Sequence, residues 1–225
     1  MTPAKPRTVT LLLLRHGEIV QHAPTRFVGQ RDLPLTPHGR AQAQAWSQPF
    51  AALPLASACC SDLSRCRDTA ALALSQTGLV ATALPALREI HLGGWEGLTR
   101  EEVRQRFPGE HERRGADLAH AAPSGGESFA QAQERFWRAL EHIAAQTRNT
   151  ASGAALVVAH GGVIRTALCR ALGLRLDSLL RLGQDYCGLN ILRLPEQGEP
   201  QVLALNLAPV DARELLEELL EETGK

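Results

Sequence analysis

The chain has 225 residues, with 24 acidic and 24 basic side chains and a formal net charge of zero. This balance gives no overall field that would favour a nucleic acid or a membrane surface, so any phosphate-binding site has to be local. The length is sufficient for a substantial core, and we expect a single domain spanning residues 1–225.

Short apolar runs typical of buried strands alternate with longer helical patterns along most of the chain. The predicted strands cover residues 9–14, 56–60, 79–84, 154–159, 189–194 and 201–205. The helices between them cover residues 39–46, 64–75 and 162–172. This alternation predicts a three-layer α/β/α fold with a mostly parallel central sheet. Functional groups are then expected at the carboxyl ends of the strands.

The alternation stops between about residues 90 and 145, where helical patterns dominate. One helix is predicted over residues 99–107, and a long one follows, with an apolar face that carries Phe129, Phe136, Leu140 and Ile143. We interpret this region as a small helical cap inserted into the domain. Within it, residues 108–127 are rich in Gly, His, Ala and Pro and are expected to form a lid loop.

Two further features bear on the cellular location of the protein, and a third concerns the structure of the C-terminal segment. The five cysteines lack the paired short spacings of a zinc site or a redox motif, which favours a reducing cytoplasm. The first apolar run, residues 11–14, is too short for a signal peptide or a membrane span, so we expect a soluble, unexported chain. Residues 211–223 are predicted to form an acidic amphipathic helix packed on the body.

Two histidine–glycine pairs each directly follow a predicted buried strand. The first is in Arg15-His16-Gly17-Glu18, and the second is in His160-Gly161-Gly162, which opens a helix. Backbone N–H groups at that helix start would form an anion site, and the glycines would allow close approach. Taken alone, the first pair is weak evidence, because a histidine at a strand end is often a hydrogen-bonded structural residue. The second pair is also compatible with a glycine-rich strand-to-helix turn.

Two more candidate residues follow the other strands. Arg65 and Arg67 begin a helix after the second strand, and positions two apart on a helix diverge by about 200°, so only one can face the strand ends. We choose Arg65. Glu89 follows the third strand and is the candidate acid, although on composition alone it would be a solvated loop carboxylate.

Two histidines, two arginines and one glutamate at four strand ends together form the set that phosphoryl transfer requires. Arg15 and Arg65 can hold phosphate oxygens and favour a neutral imidazole at His16, which attacks to give a phosphohistidine. His160 would donate a hydrogen bond to a phosphoryl oxygen, and Glu89 would protonate the leaving alkoxide and then accept a proton from water. No step requires a metal or another cofactor.

The same residues resemble the signature of the histidine phosphatase superfamily, also called phosphoglycerate mutase-like, over nearly the whole chain. The matching segments are Arg15-His16-Gly17-Glu18, Phe27-Val28-Gly29-Gln30, residues 61–69, Glu89 with Trp95-Glu96-Gly97, and Ala159-His160-Gly161-Gly162. The resemblance implies a phosphohistidine at His16, with Arg15, Arg65 and His160 around the phosphate and Glu89 as proton donor.

One position departs from the family pattern. Many members have an asparagine six residues after the nucleophile, whereas this chain has His22, so that phosphate contact is expected to be altered or lost, with Gln30 as the candidate to compensate. The resulting set of substrate-binding and phosphate-binding residues is Arg15, His22, Gly29, Gln30, Arg65, His160 and Gly161.

The resemblance also bears on the type of reaction. Residues 123–129 look like the junction of the small phosphatases of this superfamily, including alpha-ribazole phosphatases and fructose-2,6-bisphosphatases. Cofactor-dependent phosphoglycerate mutases carry a longer insertion before this junction that shields the phosphoenzyme from water. We therefore expect hydrolysis of a small phosphorylated metabolite, such as alpha-ribazole phosphate, a sugar phosphate or a phosphoglycerate.

Two alternatives to hydrolysis stay open: mutase-type phosphotransfer and a non-catalytic module that binds a phosphate-bearing partner. A binding module would have no need of both His16 and Glu89. Basic clusters at Arg104 and Arg106 and at residues 112–114 are expected on solvated cap surfaces and not in a nucleic-acid groove, because aromatic residues are only 4% of the chain and are not interleaved with them. Contact of these clusters with a distal charge of the substrate stays open. The expected partner is a small phosphate monoester, with no nucleic acid or membrane, and a homodimer is compatible with the sequence.

Overall fold

The computed structural model describes residues 8–21, 23–212 and 216. They form a six-stranded sheet with the order β3-β2-β4-β1-β5-β6. The strands are β1 (Val9–Arg15), β2 (Ser57–Cys60), β3 (Thr82–Ala83), β4 (Ala154–Ala159), β5 (Leu189–Leu194) and β6 (Gln201–Leu207). Strands β3, β2, β4 and β1 pair in parallel, and β5 pairs antiparallel with both of its neighbours. The expected mostly parallel sheet is confirmed.

Helices cover both faces of this sheet. They are α1 (Pro37–Gln44), α2 (Ser47–Ala51), α3 (Ser64–Ala73), α4 (Arg100–Arg106), α5 (Glu110–Ala116), α6 (Phe129–Arg148) and α7 (Gly161–Ala171). Thr36 caps α1 by accepting a hydrogen bond from the backbone N–H of Gly39, and Ser128 forms a capping box with Gln131 at the start of α6. Such caps satisfy N–H groups that the first helical turn leaves unpaired.

Strand β1 shows how the sheet divides the core into two layers. Leu11 and Leu13 point to the side covered by α6 and α7, whereas Leu12 and Leu14 point to the side covered by α1 and α3. All four are fully buried, as the two-residue period of a strand requires when both faces are covered. The three-layer α/β/α prediction is therefore confirmed.

The structure corrects three of the expected elements. Strand β3 is only two residues long rather than residues 79–84, because it lies at the sheet edge and pairs only with Cys59 and Cys60. The expected lid loop over residues 108–127 contains helix α5. The long helix α6 belongs to the body instead of the cap, since its apolar face packs in the same core cluster as β1 and β4.

The cap is accordingly smaller than predicted and consists of the segment with α4 and α5. Most of the predicted helix over residues 211–223 lies outside the described residues, although Ala212 and Leu216 are buried. Among the helices that the structure describes, none is both long and apolar enough to cross a membrane.

Candidate active site

The four strand-end segments singled out in the sequence meet at one edge of the sheet. Arg15 ends β1 and His16 follows it, His160 follows β4, and Arg65 lies in the first turn of α3 after β2. The rings of His16 and His160 lie 5.1 Å apart in an edge-to-face arrangement, and Arg65 Nε lies 3.2 Å from His160 Nδ1. Arg15, His16, Arg65 and Glu89 all line one cavity, so the predicted convergence is observed.

His16 is held as a neutral imidazole with one nitrogen free for reaction. Its Nδ1 lies 2.8 Å from the carbonyl oxygen of Gly17, and because a carbonyl only accepts, Nδ1 carries the proton and Nε2 carries the lone pair. The side chain is buried. Burial, followed by the charges of Arg65 and Arg15, holds the pKa of His16 well below its ordinary value of 6.5.

The turn that carries His16 is fixed by close backbone packing. The backbone N–H of His16 donates to Ala159 at the end of β4, and that of Gly17 donates to Thr69 Oγ1 at 3.0 Å. A Cβ atom on Gly17 would lie too close to the backbone of Gly39, so only glycine lets the turn and α1 approach each other this closely. His16 is thus positioned by its neighbours and not by a flexible loop.

Arg15 is oriented by the segment that precedes β5. Its guanidinium lies over the ring of Tyr186, 4.0 Å from the ring centre, and its Nη1 donates to the carbonyl of Gln184. Its Nε is buried and has no hydrogen-bond partner among the described residues. A buried donor without a partner is costly, which fits a site built to receive an anion.

Arg65 is buried and tied to three partners. Its Nε donates to His160 Nδ1, its Nη1 to the carbonyl of Arg31 at 2.7 Å, and its Nη2 to the carbonyl of Gly29 at 2.9 Å. One N–H on each terminal nitrogen is left for an anion. Arg67 is exposed, which agrees with the choice of Arg65 as the residue that faces the strand ends.

His160 is fully buried, and both of its ring nitrogens contact protein groups. Because Nδ1 accepts from Arg65, the ring proton is on Nε2, which lies 3.4 Å from Cys66 Sγ. Burial is the largest cause that lowers the pKa of His160, followed by the charges of Arg65, His16 and Arg15. His160 does not line the cavity, so a direct bond to a phosphoryl oxygen stays a prediction.

Glu89 lies at the N-terminus of α7, where the sequence predicted a phosphate-binding site. Its Oε2 accepts from the backbone N–H of Gly162 at 2.9 Å, and its Oε1 accepts from those of Val163 and Ile90. The expectation of a phosphate site made by these amides is therefore wrong, because the carboxyl oxygens of Glu89 use them. A Cβ atom on Gly162 would lie 2.4 Å from Oε1, so glycine is required for this contact.

The loop that carries Glu89 is clamped by residues that the sequence reasoning missed. Arg135 on α6 donates to the carbonyls of Ala86, Arg88 and Glu89 and pairs with Glu127 at 2.7 Å. Burial raises the pKa of Glu127, but the hydrogen bonds from Arg135 and from the His91 backbone outweigh it, and the net pKa is lowered. No sequence signal marked Arg135, since it lies within a regular helix.

The remaining predicted site residues take different positions. Gly29 lines the cavity, as expected. Gln30 does not line it, and its side-chain amide donates to the carbonyl of Glu89 at 2.9 Å, so it supports Glu89 and does not reach a phosphate in this structure. Gly161 packs closely against Arg15, because a Cβ atom on Gly161 would lie 3.2 Å from Arg15 Nε. His22 lies outside the described residues.

The cavity has a volume of about 450 Å³ and extends from this polar floor to the cap. Its upper wall is largely apolar and includes Phe27, Leu92, Trp95, Leu118, Phe129, Leu179 and Leu180. Arg114 on α5 also lines it and is buried, which corrects the expectation that the whole cluster 112–114 is solvated. Arg104, Arg106 and Arg113 are exposed, as expected.

The described residues contain no group of three or more His, Cys, Asp or Glu side chains arranged to hold a metal ion. The arrangement at the floor is instead a neutral imidazole, two guanidinium groups and a carboxyl group around one space. Such a set can bind a phosphate monoester and accept its phosphoryl group.

Comparison with known proteins agrees with this geometry. A family model described as the histidine phosphatase superfamily (branch 1) matches residues 11–208. A glucosyl-3-phosphoglycerate phosphatase from Mycolicibacterium vanbaalenii is 36% identical over a match of 183 residues, and the match covers 79% of this chain and 80% of that protein. A 2,3-bisphosphoglycerate-dependent phosphoglycerate mutase from Gloeobacter violaceus is 32% identical over 79% of this chain and 82% of its own length.

A solved structure is also similar. The putative alpha-ribazole-5'-P phosphatase from Escherichia coli superposes with a TM-score of 0.79 and 26% identity, covering 88% of this chain and 96% of that one. The chain therefore belongs to the histidine phosphatase superfamily, branch 1.

Proposed function

We propose that the chain is a metal-independent phosphatase that hydrolyses a small phosphate monoester by transient transfer of the phosphoryl group to Nε2 of His16. The observation that carries this proposal is the contact between His16 Nδ1 and the carbonyl oxygen of Gly17, since it assigns the ring proton to Nδ1 and leaves the lone pair of Nε2 free in the cavity. Membership of a phosphatase family and the similarity to named phosphatases support the same conclusion.

The first step forms a phosphohistidine. The lone pair of His16 Nε2 attacks phosphorus, the ester P–O bond breaks, and the leaving alkoxide takes a proton from Glu89. Oε2 is the atom that can hold this proton, because it accepts only one amide bond among the described residues, whereas both lone pairs of Oε1 are engaged.

The second step returns the enzyme to its starting state. Glu89, now a carboxylate, takes a proton from water, the water oxygen bonds to phosphorus, and the P–N bond breaks. Its electron pair returns to Nε2, and inorganic phosphate leaves. No metal ion takes part in either step.

The two arginines stabilise the charge on the transferring group. The unpartnered Nε of Arg15 and the remaining N–H groups of Arg65 are donors within the floor of the cavity. They are in place before the substrate binds, so the site needs little reorganisation as charge develops. For His160 we propose donation from Nε2 to a phosphoryl oxygen, in exchange for its contact with Cys66.

The test of this proposal is phosphate release from 4-nitrophenyl phosphate in the presence of a chelator, with wild type and His16→Ala. Wild type should release phosphate, and His16→Ala should lose activity by about 10⁴-fold or more while its thermal unfolding shows an intact fold. Activity retained in the variant would sink the mechanism, and activity that needs an added metal would sink its metal independence.

The mutase relative from Gloeobacter violaceus supports a second candidate function, phosphotransfer between positions of a phosphorylated metabolite. Both reactions share the phosphohistidine, and they differ in whether water or a second hydroxyl accepts the phosphoryl group. Incubation with 3-phosphoglycerate, with and without a bisphosphate primer, separates them. Isomerisation faster than phosphate release would favour the mutase.

The physiological substrate belongs to the classes that the relatives' names suggest, phosphoglycerate conjugates or alpha-ribazole phosphate, with a sugar phosphate as a further class. We also propose that residues 1–225 form one domain, that the protein acts in the cytoplasm, and that it takes neither a nucleic acid nor a membrane as its partner.

A further inference from the structure

The guanidinium of Arg135 binds the backbone of the loop that carries Glu89. Its Nη1 donates to the carbonyl oxygens of Ala86 at 2.8 Å and Arg88 at 3.0 Å, and its Nη2 donates to the carbonyl oxygen of Glu89 itself at 3.3 Å. Backbone carbonyl groups that no helix or sheet bond satisfies need other donors. One side chain on α6 supplies such donors for three residues of this loop at once.

Glu127 fixes Arg135 and also binds the loop on the other side of Glu89. Its Oε1 accepts from Arg135 Nε at 2.7 Å and its Oε2 accepts from Arg135 Nη2 at 2.8 Å, which is the bidentate geometry that a guanidinium and a carboxylate favour. Oε2 also accepts from the backbone N–H of His91 at 2.9 Å, and the backbone N–H of Glu127 donates to the carbonyl of His91 at 2.7 Å. The two side chains therefore hold the loop both before and after Glu89.

The other end of the Glu89 side chain is held separately, by the backbone amides of Gly162 and Val163 at the start of α7. A glutamate side chain has several rotatable bonds, and each torsion left free adds positions in which the carboxyl group misses the leaving oxygen of a substrate. With the backbone fixed from α6 and the carboxyl group fixed from α7, few such positions remain.

The position of the pair fits this role better than a role in holding α6 to the body. The apolar face of α6 does that, with Phe136, Leu140 and Ile143 all buried. Arg135 and Glu127 are half-buried, and an ion pair of this exposure adds little to the stability of a fold. The backbone groups that the two side chains bind all lie within residues 86–91.

We propose that Arg135 and Glu127 are positioning residues for the proton transfer by Glu89: they hold residues 86–91 so that the Glu89 carboxyl group reaches the leaving oxygen. This inference rests on the proposed function, in which Glu89 protonates that oxygen. Neither Arg135 nor Glu127 lines the cavity, so both act through Glu89. A displacement of the carboxyl group by about 1 Å lowers the rate by about 10²-fold, but only where the leaving oxygen needs a proton.

The experiment compares two aryl phosphates whose leaving oxygens differ in their need for a proton. The 4-nitrophenolate group leaves as an anion, whereas unsubstituted phenolate is more basic and gains from protonation by Glu89. The measured quantity is kcat/KM for phenyl phosphate divided by kcat/KM for 4-nitrophenyl phosphate, since kcat/KM reports the formation of the phosphohistidine. The concentration of folded enzyme cancels in this ratio.

Glu127→Gln and Arg135→Met should each lower this ratio by about tenfold, because the loss falls mainly on phenyl phosphate. The matched controls are Glu134→Gln and Arg138→Met, which break an exposed ion pair of 2.8 Å on the same helix, and both should keep the wild-type ratio. In Glu89→Gln, which removes the acid itself, the ratio should fall at least as far. Adding Glu127→Gln to Glu89→Gln should then lower it no further.

An unchanged ratio in Glu127→Gln or in Arg135→Met, together with a lowered ratio in Glu89→Gln, would overturn the inference and leave the phosphatase proposal intact. Glu127→Gln keeps the size of the side chain and decides the matter if Arg135→Met does not fold. A further fall in the double variant would also overturn the inference, because the pair would then act by a route other than Glu89. An unchanged ratio in Glu89→Gln would instead contradict the acid role of Glu89 in the proposed function, and this inference would fail with it.

Discussion

The floor and the cap wall of the cavity are built in different ways. At the floor, His16, Arg65 and Glu89 are each held by hydrogen bonds to backbone groups, those of Gly17, Arg31 and Gly162 respectively. At the cap wall, Arg114 is surrounded by aromatic rings and has no hydrogen-bond partner in the described part of the chain. The hydrogen bonds at the floor hold the reacting groups in one arrangement and therefore favour one reaction. The cap wall lacks such bonds, so its side chains can change with the substrate that the protein binds.

After the loss of His16 itself, the largest expected effect at the floor comes from Glu89→Gln. The amide keeps the size of the side chain but cannot give or take the proton, so hydrolysis of alkyl phosphates should fall by about 10²–10⁴-fold in kcat. Steady-state rates with paired substrates, with and without a remote acid group, measure this. The kcat should fall by the same factor for both substrates. A fall in kcat for only one of them would contradict the division of roles between the floor and the cap wall.

The floor and the wall should also respond differently to one added methyl group. In Gly162→Ala the new Cβ would lie 2.4 Å from Glu89 Oε1, which displaces the carboxyl group, and we expect a loss in kcat of about tenfold to a hundredfold. Gly115→Ala is the matched control on α5, because no atom lies within 4 Å of its Cβ position. It should keep wild-type kcat and gain about 0.5–1 kcal/mol of stability. Equal kinetics for the two variants would contradict the assigned contact.

Acid should destabilise the floor through its two buried histidines. The pKa values of His16 and His160 are held well below 6.5 in the folded state, so below about pH 6.5 the unfolded chain binds protons that the folded one does not. Stability is therefore lost as the pH falls, by about 2 kcal/mol between pH 7 and 5.5 for two such groups.

Urea unfolding at a series of pH values measures this loss. The double variant His16→Asn/His160→Gln should show a shallower dependence over the same range, since neither replacement side chain titrates there. An unchanged slope in the double variant would contradict the buried, neutral state of the two rings.

Sequence reasoning succeeded at the floor because its residues sit at strand ends, where position alone predicts convergence. It recognised from helix geometry that only one of Arg65 and Arg67 can face the strand ends, and burial agrees with the choice of Arg65. It misassigned the amides at the start of α7, because the partner of that helix end, Glu89, is more than seventy residues away in the chain. Such a pairing exists only in the folded protein.

The cap was harder to predict for a similar reason. An amphipathic pattern looks the same in a cap helix and in a body helix, so α6 was assigned to the wrong layer. The burial of Arg114 depends on rings at Trp95 and Phe129, which come from opposite sides of α5 in the chain. The charged neighbours of Arg114 in sequence indicated a solvated surface and gave no sign of this contact.

The central claim is that Nε2 of His16 carries the phosphoryl group, and the Glu89→Gln variant offers the most direct test. The 4-nitrophenolate group leaves without protonation, so this variant should form the phosphoenzyme quickly and hydrolyse it slowly. Rapid mixing should then give a stoichiometric burst of 4-nitrophenol, and mass spectrometry should find an acid-labile phosphoryl group on the peptide that contains His16. A phosphoryl group on any other residue, or phosphate release with no burst and no phosphorylated peptide, would contradict the account.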